Sequence, residues 1–224
     1  MQKPNAMLTS CAPGGSATGG DSLMAKQLSF QMEIGGSIPT SPLQLIVSPI
    51  PKATAALCYQ KWHYLKEKGF RSSLSYGAFY EGQIWGAITF HGVSAPETVV
   101  GLFGLDRNDQ NGIFEIGRLA MDDRCPKNSE SRFIAVSIRL LRKIFSVRAV
   151  ITYADTAVGH VGTIYKATGF SYIGLTDPKA DFWVNGKVQE RGKTKGIDGE
   201  WRPRSQKHRY VKIFDTKLSL LCRS

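Results

Sequence analysis

The chain has 224 residues, is 42% hydrophobic and carries a formal net charge of +11 at pH 7. That length suits one cored domain with flanking segments, and the basic excess favours polyanion partners, nucleic acid before an anionic membrane. No apolar run reaches the ~18 residues of a membrane helix, and Pro4, Thr9, Ser10 and a Gly/Ser stretch interrupt any signal-peptide core. A cytoplasmic protein with no membrane partner is the expectation.

Residues 1–42 are small, polar and glycine-rich (CAPGGSATGGDS, then GGSIPTSP) and cannot bury enough apolar surface to offset ordering entropy. They read as a low-complexity, disordered leader, and residues 43–224 as a single folded domain. LQLIVSPI is its first strand. Pro51 opens a helix over KATAALCYQKWHYLKEKG, with Gly69 as its stop. In SYGAFYEGQIWGAITFHG, aromatic and β-branched residues flank Glu81-Gly82, which predicts a hairpin. A loop follows, then the strand IFEIGRLAMDD. RCPKNSESR is a polar loop, and FIAVSIRLLRKIF is a helix presenting Phe133, Val136, Leu140, Leu141 and Ile144, with Asn128 or Ser129 as its cap.

AVITYAD is the next strand. Asp155 ends it, a Gly159 turn carrying His160 follows, and a short helix bears Tyr165 before the next strand. Residues 181–212 form a basic, glycine-containing segment, and HRYVKIF is the last strand. This order predicts an α/β fold, a mixed central sheet with helices on both faces. The four cysteines, Cys11, Cys58, Cys125 and Cys222, form no CxxC and no metal spacing, and read as free thiols.

Four constellations carry chemistry. The start of the helix after Asp123 offers orphan N–H groups beside Lys127 and Arg132, a cradle for phosphate. Asp155 at a strand end can accept a proton from an amine or orient another group, and Tyr165 can protonate a leaving group. His63 can act as base or metal ligand. Glu115 and Arg118, three apart, point to opposite faces of a regular strand, with Glu115 a candidate buried carboxylate. The segment rich in Lys187, Lys193, Lys195, Arg202, Arg204, Lys207 and Arg209, interleaved with Trp183, Trp201 and Tyr210, reads as a nucleic-acid surface.

With these residues in hand, IYKATGF (Ile164–Phe170) resembles the Leu-Tyr-x-x-x-Gly-Phe signature of GNAT acyltransferases, which implies a GNAT-like fold with Tyr165 as general acid. The usual Gln/Arg-x-x-Gly-x-Gly/Ala loop is replaced by RCPKNSES. More narrowly, KWHY (61–64), RLAMDDRCPKNSESRF (118–133), YADTAVGHVGTIYKATGF (153–170) and RSQKHRYV (204–211) resemble the Mom family of bacteriophage DNA-modification proteins. That resemblance implies a transferase acting in the host bacterial cell, which converts the exocyclic amine of adenine to a carbamoylmethyl derivative and protects the DNA from restriction. A conventional N-acetyltransferase acting on a protein or small amine is the alternative.

Carried over by motif, Ser131, Asp155 and Tyr165 fall at the family's functional serine, aspartate and tyrosine, and His63-Tyr64 at its His-Tyr pair, making Tyr64, Ser131, Asp155 and Tyr165 the catalytic candidates. Asn128, Ser129, Ser131 and Arg132 would hold an acetyl-CoA-type donor. The family is linked to iron as well. A carbamoylmethyl group needs a C–N bond at a methylene carbon, so an oxidising metal on His63 and Glu115 is the chemistry expected there. The DNA partner is a duplex with a flipped adenine, contacted by Lys193, Lys195, Arg202, Arg204, Lys207 and Arg209.

Overall fold

A computed structural model describes residues 37–66, 69–189, 192 and 194–221. Most of the expected leader lies outside the described residues, as do Lys193, Cys11 and Cys222. Cys58 and Cys125 are free thiols.

The first strand, β1 (Ile46–Ile50), leads through Pro51 into α1 (Lys52–Trp62). Strands β2 (Leu74–Tyr80) and β3 (Gln83–Gly92) form the expected hairpin. Its turn is Glu81-Gly82 with φ of 47° and 76°, the doubly positive conformation that matches strand twist. Helix α2 (Glu97–Phe103) follows, then β4 (Ile113–Met121), α3 (Ser129–Ile144), β5 (Ala149–Asp155), α4 (Thr163–Ala167) and β6 (Ser171–Leu175). The basic segment folds as β7 (Lys179–Val184), β8 (Lys187–Val188) and β9 (Glu200–Arg204), and the chain returns as β10 (Lys207–Ile213).

Seven strands form one sheet in the order β1-β2-β3-β4-β5-β10-β6. All neighbours are antiparallel except β4 and β5. One face packs against α1 through Ala55, Cys58, Tyr59 and Ala87, and against α2 through Val99, Leu102 and Ile151. The other packs against α3 and α4 through Phe90, Ile116, Phe133, Ile134, Leu141 and Tyr165. The mixed α/β sheet with helices on both faces is therefore as expected. No helix among the described residues is long and apolar enough to cross a membrane.

Two features of this sheet make the site. First, β4 and β5 pair only over Ile113–Glu115 and Ala149–Ile151. Beyond Glu115 and Ile151 the two parallel strands part, and their carboxyl ends stand open like a V. Second, the β3–β4 register slips at Gly117: Phe90 faces Ile116 while Thr89 faces Arg118. The extra residue is a β-bulge, which re-aims side chains. Only glycine fits, because a Cβ would lie 2.6 Å from the His91 ring. The bulge corrects the expectation for Glu115 and Arg118: they pair with His91 and Thr89, two apart on β3, and so lie on the same face.

Four other expectations shift. Helix α1 stops at Trp62 rather than near Gly69, because the His63 backbone is extended (φ −94°, ψ 139°) and its Nδ1 accepts the Leu65 amide at 3.0 Å. Helix α3 buries Phe133, Ile134, Ser137, Ile138 and Leu141, while Ile144 is 58% exposed. Helix α2 replaces an expected loop, closing on Gly104 at φ 66°. The basic segment, to which the sequence pattern assigns no elements, folds as a three-stranded sheet, β8-β7-β9. Its neck is closed where the Thr176 amide donates to the Lys207 carbonyl (2.9 Å) and Gln206 Nε2 donates to the Thr176 carbonyl (2.6 Å).

Candidate functional site

The site is built at the open end of the β4–β5 split. Helix α3 begins beside it, and its first-turn N–H groups have no acceptor within the helix. A cleft of about 340 Å³ lies there, walled by Asp123, Cys125, Lys127, Ser129, Ser131 and Ile164. A neighbouring groove of about 470 Å³ continues past Leu43, Asn128, Arg132 and Thr168. Asn128 holds the N-cap position in the left-handed conformation (φ 73°) but its side chain makes no capping bond, against expectation. Ser131 Oγ donates to the Asn128 carbonyl at 3.0 Å, and Arg132 Nη2 reaches the Leu43 carbonyl at 3.5 Å. Ser129 is 2% exposed, lines the cleft, and its Oγ has no hydrogen-bond partner. A buried orphan hydroxyl is costly unless something satisfies it. Glu130, in the same turn, is raised by burial, with Asp123 adding to the rise and His160 opposing it.

Asp155 ends β5 opposite Lys207. Its Oδ1 accepts the Ala157 amide at 3.0 Å, which caps a short 3-10 turn over Thr156–Val158. Burial pushes its carboxyl up, but the Ala157 amide, the Ser205 hydroxyl, Lys207 and His160 together hold it below the ordinary range. Asp155 is therefore an anion and a hydrogen-bond acceptor at neutral pH. The turn brings the His160 amide back to the Asp155 carbonyl at 3.3 Å, and the His160 ring stands edge-on to Tyr64, 5.8 Å between centroids. Tyr64 in turn stacks on His63 at 4.4 Å and 23°. Tyr64, 46% exposed, has its phenol raised by burial and by Asp155.

Tyr165 lies beneath. Gly162 precedes its helix at φ 68°, and a Cβ there would sit 2.3 Å from the Tyr210 ring. That close approach lets Tyr210 pack on Tyr165, 5.5 Å between centroids. Burial pushes the Tyr165 phenol up to about 12, with the Thr152 hydroxyl pulling it down and the nearby Glu130 and Tyr64 adding to the rise. It is a protonated donor across the physiological range.

His63, Tyr64 and His160 form one run of ring contacts leading to Asp155. Glu130 of the cleft wall lies within electrostatic reach of His160 and Tyr165, and Tyr165 itself is buried behind the cleft that Ser129 and Ser131 line. His160, read from sequence as a turn residue, belongs to this cluster. Arg118 was missed: it is 6% exposed, sits over the Tyr59 and Phe70 rings (5.7 and 5.4 Å), and its Nη1 is buried without a partner. Its sequence signal was a cation directly after an in-strand glycine, Ile116-Gly117-Arg118, where the glycine marks a bulge.

The expected iron pair does not fit. His63 is pushed down to about 4 by burial, Arg118 and His160, and its Nδ1 is occupied by the Leu65 amide. Its proton then sits on Nε2, leaving no lone pair for a metal. The Glu115 carboxylate accepts the Ser94 hydroxyl at 2.7 Å and faces His91 at 3.9 Å. Among the described residues no group of three His, Cys, Asp or Glu is gathered to hold a metal.

Of the expected DNA contacts, Lys195, Arg202 and Arg204 are exposed and Lys207 is partly so. Arg202 lies over the Trp183 ring at 4.9 Å and pairs with Glu200, and Arg204 reaches Asp181 at 3.7 Å. Arg209 is 7% exposed within β10, too buried to meet a phosphate: its neighbour across the strand pair is Tyr153, which packs on the core of that face, whereas Lys207 stands at the strand's end.

Fold and site define a mixed α/β domain whose split sheet opens on a helix-start cleft, with an outer basic sheet tied to the same edge. The chain belongs to the Mom protein family, whose model matches residues 44–222. It is similar to methylcarbamoylase Mom of Escherichia phage Mu, 30% identical over 159 residues, 70% of this chain and 59% of the relative. The chain thus spans less than two thirds of that relative's length. Among solved structures, it is similar to a ribosomal-protein-S5-alanine acetyltransferase from Vibrio fischeri (TM-score 0.47, 13% identity, covering 81% of this chain and 98% of that one). It is also similar to a Bacillus subtilis acetyltransferase in complex with CoA (TM-score 0.45, 12% identity, covering 76% and 99%). Likenesses this weak say nothing of donor or substrate.

Proposed function

We propose that this protein is a DNA-modifying transferase that moves a group onto the exocyclic amine of adenine, giving a carbamoylmethyl derivative that shields the DNA from restriction. One observation carries this reading most: Lys207, the first residue of β10 after the basic sheet, is paired with Asp155. The cationic, aromatic surface and the site carboxylate are thereby fixed to each other by a strand register. Family membership supports it, as does the likeness to the methylcarbamoylase of phage Mu.

The residues divide the work. Outer-sheet cations hold the phosphates. The Tyr64–His63 stack at the mouth gives an extruded base an aromatic neighbour. Asp155, held as an anion, accepts a hydrogen bond from the adenine amine, orients it and draws off positive charge as the amine reacts. Tyr165, held protonated, donates toward the leaving group.

An acyl-CoA-type donor suits the α3 start, where the first-turn amides and the orphan Ser129 hydroxyl offer donors to phosphate. Asn128, Ser131 and Arg132 line its continuation. Such a donor would bring a two-carbon unit on a thiol leaving group. Loss of the thiol to the amine alone gives an N-acyl adenine, so the carbamoylmethyl product, whose C–N bond is at the methylene carbon, also draws on a two-electron oxidant and an amide nitrogen as co-reactants from outside these residues. His63 and Glu115 hold no metal in this reading.

The test is expression in a bacterial host, digestion of its DNA to nucleosides and mass spectrometry. A mass-shifted deoxyadenosine is expected, lost in Asp155→Ala. Unmodified DNA from well-expressed, folded protein would overturn the reading. A shift matching acetylation of protein amines instead would favour the conventional N-acetyltransferase.

A further inference from the structure

We propose that Trp201 enters the DNA duplex and fills the gap left by the departing adenine, an inference that rests on the DNA-modification reading above. Trp201 is 64% exposed, the most exposed of the large aromatic side chains among the described residues. It stands on β9, an edge strand of the outer sheet. A single exposed indole is ordinary on its own; what sets this one apart is how it is held and what surrounds it.

The indole is braced. Its ring rests against Phe182 at 5.2 Å, and Phe182 is itself buried. Gly199, two residues earlier, runs so close beneath that a Cβ would lie 2.5 Å from the Trp183 carbonyl and 2.8 Å from the Phe182 ring. An exposed aromatic on a rigid footing loses little entropy when it stacks. Arg202, planted on Trp183, and Arg204 stand on the other face of the same strand. The chemistry fits a polyanion with flat, stackable faces, which is a nucleic acid.

Position separates this role from holding the flipped base. Trp201 lies four residue steps before Ser205, which follows the end of β9 and sits beside Asp155. At ~3.3 Å per residue that is ~13 Å, the same scale as the ~12 Å major groove. Trp201 is thus too far to stack on a base bonded to Asp155. It is well placed to touch the duplex that the base has left. Extrusion costs a few kcal/mol, and one aromatic stacked on a base returns ~1–3 kcal/mol. The β10–β5 register, which sets Lys207 opposite Asp155, holds that spacing.

The probe is a duplex drawn from host DNA that the wild-type protein marks, with 2-aminopurine in place of the marked adenine. Wild-type protein should brighten the probe on binding. Trp201→Ala should lower both the brightening and the modified deoxyadenosine in host DNA roughly tenfold, while duplex affinity by anisotropy and the melting temperature stay close to wild type. Trp201→Phe should fall between. Placing the 2-aminopurine opposite an abasic site should restore brightening to Trp201→Ala, because little stacking then remains to be lost. Full brightening and full modification by Trp201→Ala would overturn the inference while leaving the function intact. Failure of the abasic duplex to rescue would also overturn it. If wild-type protein neither marks DNA nor brightens the probe, the function itself falls and this inference falls with it.

Discussion

Gly162→Ala is the sharpest probe of how the fold positions Tyr165, and Gly159→Ala is its internal control. Both glycines have nearly the same left-handed backbone, φ 68° and 69°. At Gly159 a new Cβ would meet nothing within 4 Å, so the cost is conformational strain alone, ~1 kcal/mol. At Gly162 the same strain applies, and the Cβ would also land 2.3 Å from the Tyr210 ring. Tyr210 is 1% exposed and donates its hydroxyl to the Val161 carbonyl at 2.6 Å, so it has no free volume to move into. Overpacking of that kind costs ~1–3 kcal/mol, for a total of ~2–4 kcal/mol. In a domain of this size 1 kcal/mol moves the melting temperature by ~2–4 °C. Thermal unfolding should therefore show losses of ~2–4 °C for Gly159→Ala and ~4–16 °C for Gly162→Ala. The second variant should also lose DNA modification, because Tyr210 carries Tyr165 with it. Equal losses in the two variants would refute the close approach of Gly162 to Tyr210 and with it the account of how Tyr165 is held.

Ser129→Ala removes a buried hydroxyl without a partner, so the free protein should gain ~1 kcal/mol in chemical denaturation, while titration calorimetry with CoA should show binding weakened roughly tenfold. A loss of stability would mean that the hydroxyl is satisfied within the protein. Asp155→Asn keeps a turn-capping side chain, so stability should change by less than ~0.5 kcal/mol while modified deoxyadenosine disappears; retained modification would remove the carboxylate charge from the site. His63 sits at about 4 in the folded protein against an ordinary 6.5. The unfolded chain binds the extra proton between those values, so this contribution is present above pH 6.5 and lost as pH falls toward 4, by up to ~3 kcal/mol. His63→Gln should flatten that stretch of the stability–pH curve, and an unchanged slope would mean that His63 is solvated.

Sequence pattern reached the main sheet because its signals are local. The Glu81-Gly82 turn and the β-branched run Ala149–Asp155 each announce their structure within a few residues. What it missed depended on contacts made far along the chain. The Gly117 bulge is set by the opposing His91 ring, so strict alternation put Glu115 and Arg118 on different faces. Helix α1 was overextended because its end depends on the His63 ring accepting the Leu65 amide. The strands of the outer sheet went unassigned because its charges and glycines hid the alternation of Phe182 and Val184. At the site, Asp155, Tyr165 and the His63-Tyr64 pair were legible as residue types at strand and helix ends. The gathering of His160 and Arg118 onto them was not, because a turn and a bulge do it.

Strands β6 and β10 are hydrogen-bonded antiparallel neighbours, so a two-residue hairpin would be enough to join them. The chain instead runs out through residues 176–206 and comes back, with the neck pinned by the Thr176, Gln206 and Lys207 bonds. The outer sheet is in effect an insertion carried on a hairpin tip, with both ends held at hairpin distance. Lengthening, shortening or exchanging it changes no pairing in the seven-stranded sheet and leaves Lys207 opposite Asp155. Under the function proposed above, DNA preference would drift between relatives, or be engineered by transplanting this tip, with Asp155 and its neighbours left in place.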